Sequence, residues 1–154
     1  MIGNDIVDLR QAEQDSNWNR KGYLDKIFTD EEQFLISSDM HPSLLVWLLW
    51  SMKESAYKIS SRATKLRTFA PIKLRCNNLI IHGGKATGNV LYEDKVYFTS
   101  SVFNDDYVHT TAAISPEDLV LAEVQITEHT DNNYRSSNPV SVSHHGRYLA
   151  LAYI

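Results

Sequence analysis

Residues 42–62 constrain the fold of this 154-residue chain most, because their pattern fits one long amphipathic helix. The segment starts with Pro42, which suits the first turn of a helix. Apolar side chains recur at helical spacing on one face, at Leu45, Leu48, Leu49, Met52, Ala56 and Ile59. A second stripe holds Trp47, Ser51, Glu54, Lys58 and Arg62. The charged side chains are therefore predicted to share one face, where they could converge on a ligand.

The rest of the chain predicts short strands around that helix. Residues 2–9 have the pattern of a buried strand, and Thr29 and Glu32 have the spacing of a capping box, so a second helix should begin near Thr29. In the second half of the chain, β-branched and aromatic runs alternate with turn residues, and residues 139–154 predict a last hairpin. We therefore predict an α+β fold with a long central helix packed on an antiparallel sheet, in a single domain over residues 1–154.

Composition narrows the class of partner. The formal net charge of −4 gives no basic excess for binding nucleic acid, so nucleic acid is not expected as the main partner. The longest apolar run, residues 44–50, is too short to span a bilayer, and no membrane span is expected. Cys76 is the only cysteine and the chain starts without a signal-peptide pattern, so the expected location is the cytoplasm.

Two acids in the opening strand need an explanation. Asp5 lies among apolar residues, where a carboxylate loses its hydration at a cost of several kcal/mol unless a cation or hydrogen-bond donors meet it. A metal ion is one solution. A cap on a turn or helix, or an ion pair with Arg10, is the other. The same alternatives hold for Asp8, and whether it joins a metal site stays open.

Glu54 and Lys58 are four residues apart on the predicted helix. On an exposed surface this spacing usually gives an ion pair worth roughly 0.3–0.5 kcal/mol. The sequence around the pair changes the interpretation. Residues 50–58, Trp-Ser-Met-Lys-Glu-Ser-Ala-Tyr-Lys, agree at every defined position with the W-[SA]-x-K-E-[SA]-x-x-K signature. This signature is typical of 4'-phosphopantetheinyl transferases, and the segment resembles that superfamily.

Two further segments resemble the same superfamily. Residues 3–9, Gly-Asn-Asp-Ile-Val-Asp-Leu, are similar to its G-x-D-I-x-x-[IL] signature and lie about fifty residues before the other one. Residues 142–148 resemble the strand and turn that contact coenzyme A in the family. The acid at Asp8, with Val7 before it, is similar to the short holo-acyl-carrier-protein synthase type rather than to the larger enzymes.

The resemblance implies a reaction. A serine hydroxyl of an apo carrier protein attacks the β-phosphorus of coenzyme A, takes the 4'-phosphopantetheine group and releases 3',5'-ADP. Asp5 and Glu54 would hold magnesium against the pyrophosphate, with the preference for magnesium or manganese left open. Glu54, directly or through a metal-bound water, would remove the serine proton, and Lys58 would stabilise or protonate the departing phosphate.

The resemblance also assigns binding residues. Ser143 and His144 match positions that bind the 3'-phosphate side of coenzyme A. Lys53 would add positive charge near the phosphates or point to solvent. Arg10 matches a contact with the acidic carrier protein in the short type, and an ordinary surface arginine is the alternative.

Large family members hold two copies of the fold, and the histidine strand of the first copy completes the site of the second. A single-copy chain should therefore borrow that strand from another subunit. This reasoning predicts a homo-oligomer, a trimer by analogy, in which Ser143 and His144 of one subunit face Asp5 and Glu54 of the next.

Two other functions fit the same residues. One is a catalytically inactive homologue that still binds coenzyme A or the carrier protein. The other is a magnesium-dependent pyrophosphohydrolase, in which the carboxylates activate water in place of serine. Which carrier protein is modified, that of fatty-acid, polyketide or peptide synthesis, is not encoded in a short motif.

Overall fold

The computed structural model describes residues 1–128 and 133–154. Within them the chain forms a mixed fold of helices and antiparallel strands, which confirms the predicted α+β class. The helices are α1 (Leu9–Asp15), α2 (Tyr23–Ile27), α3 (Asp30–Ser38), α4 (Pro42–Thr64) and α5 (Pro116–Leu121). The strands are β1 (Ile2–Asp8), β2 (Arg75–His82), β3 (Lys85–Tyr92), β4 (Lys95–Phe103), β5 (Tyr107–Ala113), β6 (Glu123–Glu128), β7 (Ser141–His145) and β8 (Tyr148–Tyr153).

Helix α4 forms the centre of the core, as its periodicity predicted. It starts with Pro42 in the first turn and ends at Lys65, which adopts a left-handed conformation as the C-cap. The side chains of Leu48, Leu49 and Met52 have no exposed surface. Since burying such a side chain contributes about 1.5–3 kcal/mol, this face anchors the helix to the sheet.

The larger sheet has five antiparallel strands in the order β1-β5-β4-β3-β2, and α4 packs across β1 and β5. Strand β1 lies unusually close to the helix at Gly3. A Cβ atom at this position would collide with the carbonyl oxygen of Ser55 on α4. Ser51 also contacts the strand, because its hydroxyl donates to the carbonyl of Asp5 over 3.3 Å. The glycine of the first motif and the serines of the second thus let strand and helix touch.

The smaller sheet has three strands in the order β6-β8-β7 and packs against β1. Strand β1 is an edge strand of the larger sheet, so one row of its backbone N–H groups has no β partner. Side chains of β7 accept these hydrogens. Asn4 N–H donates to Ser141 Oγ over 3.0 Å, Ile6 N–H to Ser143 Oγ over 3.1 Å, and Asp8 N–H to His145 Nδ1 over 2.9 Å. The last hairpin is therefore held against β1 by side chains.

Several local predictions agree with the structure, and one does not. Thr29 caps α3 in a capping box with Glu32, and the predicted last hairpin is β7 and β8. The sequence predicted one antiparallel sheet, whereas the strands of the described residues form two. Among the helices of residues 1–128 and 133–154, none combines the length and the apolar character that a membrane span needs.

Candidate active site

Helix α4, strand β1 and strand β7 enclose a cavity of about 580 Å³. Its lining includes five of the residues that the sequence placed in the site, namely Asp5, Glu54, Lys58, Ser143 and His144. Asp5 comes from β1, Glu54 and Lys58 from one face of α4, and the last two from β7. The strand acid and the helix acid, about fifty residues apart in sequence, therefore share one cavity.

Asp5 is buried, with 8% of its surface exposed. Its Oδ1 accepts a hydrogen bond from Ser143 Oγ over 3.0 Å and lies 3.7 Å from Lys58 Nζ. Its Oδ2 is buried and has no hydrogen-bond partner among the residues that the structure describes. Burial raises the pKa of Asp5 against the opposing effects of Lys58 and Ser143. One oxygen of this carboxylate is thus held in place, while the other is buried and unpaired.

Glu54 is partly buried beside Asp5. Burial, with a further contribution from the negative charge of Asp5, raises the pKa of Glu54 to about 7, although Lys58 acts in the opposite direction. Burial raises the proton affinity of both carboxylates, and the charge of Asp5 raises that of Glu54 further. A cation is favoured at such a site, because a positive ion offsets both the burial and the repulsion.

Lys58 ties the two strands of the cavity together. Its Nζ donates to the carbonyl oxygens of Asn4 on β1, over 2.6 Å, and Val142 on β7, over 3.3 Å. A lysine ammonium has three hydrogens, so this geometry leaves one for Asp5 or for an anionic ligand. The charge of Lys58 also acts on His109. Burial, followed by this charge, lowers the pKa of His109 to about 4, so the imidazole is neutral near pH 7.

The donor set suits a hard divalent ion held partly by substrate. Within residues 1–128 and 133–154, no three His, Cys, Asp or Glu side chains are grouped as a complete metal site. Magnesium is usually held by one or two carboxylates together with phosphate oxygens and water. The unpaired Oδ2 of Asp5 and the carboxylate of Glu54 could supply those two ligands.

Ser143 and His144 reach the cavity from the same chain, which corrects the prediction that they face Asp5 of another subunit. The physical reason is the side-chain ladder from β7 to β1, which docks the last hairpin of the chain on its own first strand. The reason for predicting a homo-oligomer was that the chain must borrow this strand from another subunit, and that reason no longer applies. The number of subunits stays a prediction.

Lys53 lies outside the cavity, so the prediction that it contacts the phosphates, or else solvent, is wrong. Its side chain is fully buried on the other side of α4. The Nζ atom donates to Glu32 Oε1 over 2.8 Å, to the carbonyl of Ile27 over 2.7 Å and to that of Pro71 over 3.0 Å. Every hydrogen of this ammonium is therefore used inside the core.

Asp8 also has a structural role. Its Oδ1 accepts from the backbone N–H groups of Arg10 and Gln11 and so caps α1, and its Oδ2 accepts from the backbone and side chain of Arg147. These donors hold the pKa of Asp8 well below its usual range. The cap on a helix, one of the two sequence alternatives, is what the structure contains. The side chain of Arg10 is exposed, and its contact with a carrier protein stays a prediction.

Comparison of the sequence with known protein families identifies the family of this chain. The family model described as the 4'-phosphopantetheinyl transferase superfamily matches residues 1–112. The chain belongs to that superfamily. The matched range contains Asp5, Glu54 and Lys58 but ends before β7, so Ser143 and His144 are placed in the site by the structure alone. No curated protein sequence matches the chain.

A solved structure resembles this chain beyond residues 1–112, the range that the family model matches. The holo-[acyl-carrier-protein] synthase of Thermotoga maritima superposes with a TM-score of 0.52. The two sequences are 12% identical, and the alignment covers 97% of this chain and 81% of the other. At this identity the likeness establishes the fold.

Sequence reasoning about this transferase-family chain missed several cavity residues. Tyr23 and Trp50 form aromatic walls, and His145 lies at the end of β7. Trp47 also lines the cavity, as its place on the charged stripe of the helix predicted. Trp50 could have been found, since it opens the second motif. Tyr23 gave no sequence signal, because α2 is a five-residue helix in a polar region.

Proposed function

We propose that this protein transfers the 4'-phosphopantetheine group from coenzyme A to a serine of an apo carrier protein, in a magnesium-dependent reaction that releases 3',5'-ADP. The observation that carries the proposal is the meeting of Asp5, Glu54 and Lys58 in one cavity. Membership of the superfamily supports the general chemistry, and the fold likeness favours the holo-acyl-carrier-protein synthase type.

In this proposal Asp5 Oδ2 and the carboxylate of Glu54 would hold the magnesium ion. The ion supplies positive charge that neutralises the pyrophosphate of coenzyme A during transfer. Asp5 suits this task because Ser143 already holds its other oxygen, Oδ1, by a hydrogen bond. Its strand is buried over its whole length, which fixes the direction of the carboxylate.

Glu54 is the residue that accepts the serine proton. Without a cation, burial and the charge of Asp5 raise the pKa of Glu54 to about 7. A bound cation would lower this pKa, so Glu54 would act as the general base as a carboxylate, directly or through a metal-bound water that it orients. Lys58 lies on the same helix face one turn away and supplies positive charge for the departing 3',5'-ADP phosphate. His144, which is exposed at the cavity, binds the 3'-phosphate side of coenzyme A.

The second substrate is an acidic acyl or peptidyl carrier protein. Arg10 is exposed on α1, and Ala12 of the same helix lines the cavity, so the contact with the carrier is assigned to this helix. A cation at the rim of the site would steer an acidic partner by long-range attraction.

The test is incubation with coenzyme A, magnesium and several apo carrier proteins, with mass spectrometry of each carrier. The expected result is a carrier that gains the phosphopantetheine mass together with release of 3',5'-ADP, and loss of both when EDTA is added. Glu54→Gln should abolish transfer while it keeps the helix, because glutamine is a good helix former. Free phosphopantetheine without a modified carrier would instead indicate a pyrophosphohydrolase, and coenzyme A binding without any product would indicate an inactive homologue.

A further inference from the structure

The hydroxyl of Ser143 is committed to contacts inside the protein. It accepts the backbone N–H of Ile6 over 3.1 Å and donates to Asp5 Oδ1 over 3.0 Å. A serine hydroxyl has only one hydrogen. Because that hydrogen is given to Asp5, Ser143 has none to donate to a phosphate of coenzyme A in this conformation.

The backbone fixes the direction of this bond. Ser143 lies on β7, paired with Ala150 of β8, and only 6% of its surface is exposed. The N–H of Ile6 occupies one acceptor site of the hydroxyl, so the oxygen cannot rotate freely. The hydrogen is thereby aimed at one oxygen of Asp5, while the other oxygen is left buried and unpaired.

We propose that Ser143 is a positioning residue, whose hydroxyl orients Asp5 so that Oδ2 is presented to the divalent cation and does not itself donate to coenzyme A. This inference deepens the proposed function and rests on it, because it assigns the cation to Asp5. It concerns metal affinity, which can be measured without the transfer reaction. Groups that orient a metal ligand typically change metal affinity about 10- to 100-fold when they are removed.

Ser141 provides a matched control. It lies two residues earlier on the same strand and accepts the N–H of Asn4 over 3.0 Å and Arg62 Nη2 over 3.1 Å. Its hydrogen-bond partners among the described residues do not include the Asp5 carboxylate. Ser141→Ala and Ser143→Ala therefore each remove one hydroxyl that holds β7 to β1. The first variant also removes the hydrogen bond from Arg62, and the second also removes the hydrogen bond to Asp5. Weaker cation binding by Ser143→Ala alone therefore reports on the bond to Asp5.

The experiment is Mn²⁺ binding to the full chain in the presence of coenzyme A and without carrier protein, followed by electron paramagnetic resonance of free Mn²⁺. Ser143→Ala should weaken Mn²⁺ binding about 10- to 100-fold, Ser141→Ala should leave it near wild type, and Ser143→Thr, which keeps the hydroxyl, should restore it. Calorimetric binding of coenzyme A in EDTA should be the same for Ser143→Ala and wild type. Thermal unfolding of each variant checks that it is folded at the temperature of the assay.

Three results would overturn the proposal. These are equal Mn²⁺ affinities of the two alanine variants, weaker coenzyme A binding in EDTA by Ser143→Ala alone, and no Mn²⁺ binding by the wild type. The proposed function fails separately. A wild-type protein that binds Mn²⁺ but modifies no carrier removes the transferase, while the comparison of the two variants still decides the role of Ser143.

Discussion

Lys53 belongs to the family signature but lies in the core, so its replacement should reduce stability and not activity. In Lys53→Met the methionine keeps most of the apolar stem and removes the ammonium. Glu32, 1% exposed, would lose the cation that neutralises it, and the carbonyls of Ile27 and Pro71 would lose their donor. Removing one partner of a buried ion pair costs about 3–5 kcal/mol.

That loss can be measured by thermal unfolding. For a chain of this length, each kcal/mol lowers Tm by about 2–4 °C, so the expected decrease is roughly 6–20 °C. The double variant Lys53→Met with Glu32→Gln should recover part of it, because no unpaired charge remains in the core. Lys58→Met is the matched control for activity, since it makes the same substitution at the cavity. At a temperature where all variants are folded, Lys58→Met should lose carrier modification and Lys53→Met should keep it.

Two outcomes would refute this reasoning about Lys53. An unchanged Tm for Lys53→Met would show that the buried ion pair contributes no net stability. A loss of kcat/KM as large as that of Lys58→Met, in folded protein, would show that Lys53 acts on the substrate after all.

Three further predictions follow from the site and its surroundings. In EDTA, the free energy of unfolding of the wild type should fall relative to that of Glu54→Gln as pH rises from 4.5 to about 7, by at most about 3 kcal/mol. The reason is the raised pKa of Glu54, because the folded state keeps a proton that the unfolded state releases. Urea unfolding would contradict this if the difference between the two proteins were the same at pH 5 and pH 8. Gly146→Ala should lower Tm, because Gly146 has a φ of +52° and a Cβ atom there would lie 2.5 Å from Asp8 Oδ2. An unchanged Tm would show that this turn adjusts without loss of stability. A mixture of Glu54→Gln protein and His144→Ala protein should show no restored carrier modification, because one chain supplies both residues to one cavity. Recovered carrier modification in the mixture would mean that subunits share the site.

The central parts of the fold could be predicted because local patterns determine them. The apolar period over residues 42–62 places α4, and the capping box at Thr29 places the start of α3. The meeting of β1 with α4 is visible in the motifs for a steric reason: Gly3 and Ser55 are small where strand and helix touch.

What could not be predicted depends on contacts between distant segments. Lys53 and Glu54 are neighbours in sequence and both are charged, so local spacing does not tell which one enters the core. The partner that decides it, Glu32, comes from α3, and its carboxylate also accepts the N–H groups of Thr29 and Cys76. The role of Asp8 likewise depends on Arg147, which lies 139 residues further along the chain.

The borrowed strand is the prediction that failed most instructively, and the chemistry of the sheet edge explains the failure. Completing the site requires a strand whose side chains reach the unpaired N–H groups of β1, and three alternating acceptors are sufficient, at Ser141, Ser143 and His145. These bonds run from side chains to backbone N–H groups and need no particular chain connection. The strand can therefore precede the first motif, follow it or come from another subunit. A hairpin at the end of the same chain therefore satisfies β1 as well as a strand from another molecule would, and it does so without the entropy cost of association.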